Sequence, residues 1–220
     1  MARTRSDAEI ESDVIDELKW AANVDEDDID VDVHDGVLTL NGTVDSYFAK
    51  QRAEDEALDV FGVTAVINNL EVDLPYAVER SDVDLGEAAV DALTRDVVIP
   101  SSDIHVTVSH GIVTLQGQVD WNYQREDAED VVERLAGVKG VENLMTLASQ
   151  PMPSDVAQRI QKALMRDAGV NADAITVTVE GSIATLTGVV HSYAEKVDAE
   201  DAAWLAPGIM EVDNDITVAY

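Results

Sequence analysis

The chain has 220 residues, no cysteine, and a formal net charge of −31 from 45 acidic against 14 basic side chains. A field of that sign repels phosphate backbones and anionic lipid head groups, so nucleic acid is not an expected partner. The lack of cysteine excludes disulfides, thiolate metal sites and Cys nucleophiles.

Hydrophobic residues make up 46% of the sequence and aromatics only 5%, so any core rests on Val, Ile, Leu and Ala. The acid is spread along the chain rather than gathered in a tail. That fits a solvated surface, either of a salt-adapted cytoplasmic protein or simply of a very soluble one. No run of 18 apolar residues is present, so no membrane span is expected. The start, Met1 to Asp7, carries two Arg but no apolar stretch behind them and does not read as a secretory signal. A cytoplasmic location is expected, or a periplasmic one if a leader has been removed.

One pattern occurs three times. Gly36-Val37-Leu38-Thr39-Leu40-Asn41-Gly42-Thr43-Val44 returns at Gly111 to Val119 and, with one residue more, at Gly181 to Val190. Ala-Glu-Asp follows each time (Ala53-Glu54-Asp55, Ala128-Glu129-Asp130, Ala199-Glu200-Asp201). Then comes Gly with a β-branched residue (Gly62-Val63, Gly137-Val138, Gly208-Ile209), and then Asn68, Asn143 or Asn214. Repeats of this period announce an array of small units, expected at 6–75, 79–148 and 154–220.

Each copy opens with an amphipathic helix. Ile10, Val14 and Leu18 share one face, as do Leu85, Ala89 and Leu93, and Val156, Ile160 and Leu164. Ser6-Asp7, Ser81-Asp82 and Ser154-Asp155 precede them as N-cap signals. An alternating strand follows in each copy: 29–33, 104–108 and 175–179. Asp35-Gly36 predicts a two-residue hairpin, with His110-Gly111 and Glu180-Gly181 in the same place. The extra residue between Gly181 and Gly188 predicts a bulge in copy three. After the second strand, Asp45, Asp120 or His191 can cap a second helix. Its buried stripe is Ala53, Ala57 and Val60; Ala128, Val132 and Leu135; or Ala199, Ala203 and Ala206. Gly62, Gly137 and Gly208 fit the C′ position that ends it. A third strand closes the unit, ending at Val72 in copy one and Val218 in copy three.

The expected fold class is therefore α+β: three tandem αββαβ domains. Each is a small three-stranded mixed sheet with two helices on one face, a hairpin joining strands one and two, and a right-handed crossover bringing strand three in parallel. The short linkers contain Pro75 and Pro151-Met152-Pro153.

Gly-x-Val-x-Leu-x-Gly-x-Val, a helix, Gly-Val-x-x-Val and Asn, in that order, resemble the BON domain, and the three copies resemble the OsmY-like group with three such domains. Gly36, Gly42 and Gly62, Gly111, Gly117 and Gly137, and Gly181, Gly188 and Gly208 match the family's glycines. The resemblance implies a non-enzymatic domain, associated with stress response or the cell envelope and proposed to bind phospholipid surfaces.

The residues themselves point the same way. The nine glycines read as turn and helix-stop positions. No phosphate-binding Gly motif, no His-x-x-x-His spacing and no Gly-x-Ser-x-Gly elbow occurs, so neither cofactor, metal nor catalytic residue is expected. Asp25-Glu26-Asp27-Asp28 lacks the spaced ligands of a calcium loop and reads as a solvated turn. Asn68, Asn143 and Asn214 are expected to bond a local turn or strand end.

Lys50, Arg125 and Lys196 share one register early in the second helix, each four residues before an acid. Tyr47 with Phe48, Trp121 with Tyr123, and Tyr193 stand beside them. Two readings stay open: local pairing and packing, or a rim of Tyr47, Lys50, Trp121, Tyr123, Arg125, Tyr193 and Lys196 that contacts a partner or lipid. Trp20 and Trp204 are expected to pack within or between domains. The partner is an unidentified protein or a membrane surface. The function expected is non-enzymatic binding or scaffolding, with peripheral phospholipid binding as the alternative.

Overall fold

The computed structural model describes residues 5–21, 24–25, 28–150, 153–166 and 170–219. Glu26 and Asp27 of the acidic run and Pro151 and Met152 of the second linker lie outside the described residues.

Copy one runs α1 (Asp7–Trp20), β1 (Ile29–His34), β2 (Val37–Val44), α2 (Tyr47–Leu58) and β3 (Ala65–Val72). Copy two repeats the order in α3 (Asp82–Arg95), β4 (Ile104–Ser109), β5 (Ile112–Val119), α4 (Asn122–Glu133) and β6 (Gly140–Leu147). Copy three does so in α5 (Val156–Leu164), β7 (Ile175–Glu180), β8 (Ile183–Val190), α6 (Tyr193–Trp204) and β9 (Glu211–Val218). In each sheet the hairpin strand is central, antiparallel to the first strand and parallel to the third. The fold class read from the sequence is the one observed.

Each copy has its own core. Alternation decides which strand residues enter it. Leu38 and Leu40, Val113 and Leu115, and Ala184 and Leu186 are fully buried under the helices, while Asp30, Asp32, His105, Thr107, Thr176 and Thr178 line the opposite, open sheet face. Period 2 makes this segregation unavoidable once one face is covered. Ala49, Ala53 and Ala57 bring α2 close to its sheet, as Ala128 does for α4 and Ala199 and Ala203 for α6.

Four local expectations are corrected. Copy three has no bulge. Glu180 pairs with Ile183, so its turn is Gly181-Ser182, against Asp35-Gly36 and His110-Gly111 in the other copies. Both residues of those two turns have positive φ, whereas in copy three only Gly181 does, at 61°. Glycine at the first position serves a II′-type turn, and the mirror-type I′ turn needs left-handed backbone at both.

The second helices are capped one residue later than expected, by Ser46 and Ser192, whose hydroxyls accept from Ala49 and Glu195 N–H. Copy two has Trp121 at that position, and the Gln124 carboxamide oxygen reaches back to the N–H groups of Asp120 and Trp121 instead. Gly62, Gly137 and Gly208 lie three residues beyond the C-caps Asp59, Arg134 and Leu205. The helices end by tightening into i→i+3 bonds, such as Val60 N–H to Ala57 O, so the left-handed residue comes after that extra turn.

The first helices begin unequally. Ser6 forms a capping box with Glu9, and Ser81 accepts from Asp84 N–H. In these two copies the next residue does a second task. Asp7 accepts the N–H groups of Asp35 and Gly36 at 3.0 and 3.1 Å. Asp82 accepts those of His110 and Gly111 at 2.9 and 3.0 Å. The carboxylate thus ties helix to hairpin, and those bonds hold Asp82 below the usual carboxylate range. Copy three starts its helix later, at Val156, with Asp155 as an N-cap that makes no side-chain cap bond.

Candidate functional site

The second helix of each copy carries the features that the sequence repeats most insistently, and there the three asparagines are explained. The Asn68 amide donates to Lys50 O at 3.1 Å and to the Glu54 carboxylate at 2.9 Å, while its Oδ1 accepts Leu70 N–H at 3.2 Å. Asn143 bonds Arg125 O, Glu129 and Met145 N–H in the same way, as does Asn214 with Lys196 O, Glu200 and Ile216 N–H. The bond to the strand two residues on is the local one expected. The bonds to helix and glutamate were missed. Their signal was present, because in all three copies Glu precedes Asn by 14 residues. The Glu of Ala-Glu-Asp is thereby a partner of the strand asparagine, and Lys50 donates to Leu70 O at 2.7 Å.

The N-terminal ends of these helices meet the neighbouring copies. Tyr47 packs against the core of copy two, where Val141 backbone bonds its hydroxyl and where it lies close enough to Glu129 and Glu133 to feel their charge. Arg134 of copy two sits over the Phe48 ring at 5.7 Å. One step on, Trp121, Asn122, Tyr123 and Glu126 face Asp201, Trp204 and Leu205 of copy three. Arg125 lies over Trp204 at 5.2 Å, and Trp204 with Met210 also packs on the core of copy two. The circle closes through Tyr193, whose hydroxyl feels Glu54 and Asp55 of copy one. Tyr47, Asn122 and Tyr193 each begin their helix. The head of one second helix therefore meets the body of the next at the first two junctions, and at the third Tyr193 lies within electrostatic reach of the α2 acids. Head-to-tail contacts of one kind that close on themselves make a ring, here a pseudo-threefold ring within one chain.

Of the seven rim residues, Tyr47, Trp121, Tyr123, Arg125 and Tyr193 thus face a neighbouring copy, whereas Lys50 bonds Leu70 O within its own copy. Among them Tyr123 remains 43% exposed, and the others are half-buried. Trp204 packs between copies as expected. Trp20 does not: it is 87% exposed, because it stands two residues past Leu18 and so on the face of α1 opposite the buried Ile10, Val14 and Leu18.

Acidic groups from the three helices converge in this ring. Burial, then Asp130, Asp55 and Glu129, push Glu133 up to about 7 against the opposing pull of Arg134. Partial burial raises Asp55 and Asp201, assisted by Glu54 and Glu200 respectively. For Glu126 the largest cause is burial and the next is Asp201 of copy three. A carboxyl raised on folding stabilises the fold where it is protonated. The Glu133 contribution is therefore fully present below pH 4.5, its ordinary pKa, and is lost as pH rises through about 7. Glu133→Gln is expected to stabilise the protein at pH 8 by about 1–2 kcal/mol after allowing for solvent screening, and to change little at pH 4. Urea denaturation of both proteins at the two pH values measures this, and an equal offset at both would refute it.

Elsewhere, ligand atoms of Asp7, His34 and Asp35 lie within 4.8 Å of one another. Both Asp7 oxygens, however, are engaged by the hairpin N–H groups. No helix among the described residues is long and apolar enough to cross a membrane.

Three αββαβ units, each with its own core and joined in a ring by one helix, define a tandem array of small α+β modules. The chain belongs to the BON domain family, whose model matches residues 6–73, 81–149 and 154–220. It is 32% identical to osmotically-inducible protein Y of Escherichia coli (strain K12) over 128 residues, which span 55% of this chain and 62% of that protein. Two solved structures of CdsD, a structural protein of the type III secretion system of Chlamydia trachomatis, were also matched. One, the C-terminal domain, shows 14% identity, a TM-score of 0.26, and coverage of 98% of this chain and 100% of that one. The other shows 15% identity, a TM-score of 0.26, and coverage of 94% and 91%.

Proposed function

We propose that this is a non-enzymatic binding or scaffold protein of osmotic-stress type, acting as one three-domain body. The observation that carries the reading is the fate of the recurrent polar groups. The asparagine–glutamate constellation common to the three copies is taken up in fastening helix to strand, and the second helices face one another. What the ring offers outward is three open, mostly polar sheet faces. The likeness to an osmotically inducible protein supports the stress assignment. The test is a deletion strain exposed to hyperosmotic shift. It is expected to recover poorly, to be rescued by the intact chain, and not to be rescued by Tyr193→Asp, which puts a charge against Glu54 and Asp55. Normal recovery of the deletion strain would overturn the assignment.

One observation favours a second reading, peripheral docking on phospholipid. Trp20, Val97 and Met165, at 87, 98 and 61% exposure, stand at the C-terminal ends of the three first helices. Lys19, Arg95 and Arg166 are exposed beside them. Docking needs the three apolar tips and their bases to act together from one side, as equivalent ends of a closed ring do. The overall charge opposes approach to anionic lipid until salt shortens its range, to about 8 Å at physiological ionic strength. Co-sedimentation with phosphatidylcholine–phosphatidylglycerol vesicles should therefore strengthen between low and physiological salt, and weaken for Trp20→Ala. No sedimentation at any salt concentration excludes this reading and leaves the first intact.

A further inference from the structure

The three junctions of the ring are built on one plan but not from the same residue. The helix-opening position that carries Tyr47 and Tyr193 at two junctions carries Asn122 at the third. Tyr47 lays its ring on the neighbouring core and its hydroxyl on Val141 backbone. Asparagine is too short to reach as far. At the junction it opens, between copies two and three, lies a cleft of about 570 Å³ lined by Trp121, Asn122, Tyr123, Glu126, Asp201 and Trp204. That volume falls in the range of small-molecule sites.

The lining has a definite chemistry. Trp121, Tyr123 and Trp204 supply aromatic faces, and Arg125 already lies over the Trp204 ring at 5.2 Å, so that ring accepts a cation. Glu126 and Asp201 line it from opposite copies, and burial first, then Asp201, raises the Glu126 carboxyl against the opposing pull of Asn122 and Arg125. Asn122 is 3% exposed, and its amide is held by Glu126. Its Oδ1 is buried without a hydrogen-bond partner. An unpaired buried acceptor is costly, and so is a pair of facing carboxylates. A donor carrying positive charge relieves both.

We propose that this cleft binds a small organic ammonium ion with an aromatic or apolar body. The body occupies the space that the Tyr47 side chain fills at the first junction. The ammonium sits between Glu126 and Asp201, with Asn122 Oδ1 as a further acceptor. This site is independent of the scaffold role and of any lipid contact, since it uses neither the sheet faces nor the tips of the first helices.

Tyramine is the direct probe, because it is the tyrosine side chain with an ammonium in reach of the carboxylates. The neutral p-cresol is its control. Isothermal titration of the full chain at pH 7.5 is expected to show tyramine binding at least about tenfold tighter than p-cresol, the worth of one partly buried charge pair. Asp201→Asn and Glu126→Gln should each weaken tyramine by about tenfold and leave p-cresol unchanged. Asn122→Tyr should fill the cleft, abolish tyramine binding and raise the melting temperature. The melting curve of each variant establishes that it is folded. Equal binding of tyramine and p-cresol, undiminished tyramine binding by Asp201→Asn, or no tyramine binding at millimolar concentration would each overturn the proposal.

Discussion

Replacing Gly117 by alanine is expected to cost at least about 3 kcal/mol and to lower the melting temperature by about 6–12 °C for a chain of this length. Gly117 sits in β5 with φ at 149°, and a Cβ built on it would lie 2.1 Å from Asp103 O and 3.1 Å from Asp103 C. Both are backbone atoms, held by the short turn Ser101–Asp103 that leads into β4. No side chain can swing aside to relieve the contact, so the sheet must shift or open. Gly42 and Gly188 meet Asp28 O and Ala174 O at 2.0 and 2.1 Å in the same way. Gly181→Ala is the control. It has positive φ too, but nothing within 4 Å of the added carbon, so only the backbone term of about 1–2 kcal/mol remains. Thermal unfolding followed by circular dichroism compares the two. Loss of amide protection in 104–147 should accompany Gly117→Ala, and a shift no larger than that of Gly181→Ala would refute the steric account.

Asn143→Ala is expected to cost about 2–3 kcal/mol. It removes one charge-assisted and two ordinary hydrogen bonds, and it leaves Glu129 facing an apolar methyl. The more telling substitution is Asn143→Asp. It keeps the acceptor for Met145 N–H but sets a carboxylate against Glu129, 3.0 Å from the amide it replaces. At neutral pH it should be worse than alanine, because two like charges meet in a part-buried site. As pH falls one of the two protonates and can donate to the other, so at pH 4 the variant should recover most of the loss. Chemical denaturation of the three proteins at pH 7 and pH 4 distinguishes the cases. An aspartate variant as stable as wild type at pH 7 would show that the latch carries little energy.

The element order and the core faces of the strands and first helices were legible in the sequence because they rest on short-range regularities. Period 2 in Ile175-Thr176-Val177-Thr178-Val179 and the i, i+4, i+8 spacing of Leu85, Ala89 and Leu93 hold for any fold that covers one face. The recurrence of glycine at Gly42, Gly117 and Gly188 likewise announced a backbone requirement, though not the carbonyl responsible for it. Errors arose where two local solutions differ by one residue. Ser46 and Ser192 cap their helices instead of Asp45 and His191, and Gly181-Ser182 makes a tight II′-type turn where an insertion was expected. Such choices turn on backbone dihedrals that composition does not encode.

Tertiary structure alone decided what the conspicuous side chains are for. The sequence singled out the register of Lys50, Arg125 and Lys196 and the aromatics beside it, but it could not tell an outward rim from a junction. The folded chain turns those aromatics toward neighbouring copies. It also turns Trp20 outward and brings Glu126 to Asp201 across 75 residues of chain. The reason is physical: contacts within a 70-residue unit follow from its own periodicity, whereas contacts between units depend on a rotation and a translation that no single unit specifies. The sequence thus determined three copies of a fold, and their closure determined which of its repeated residues meet.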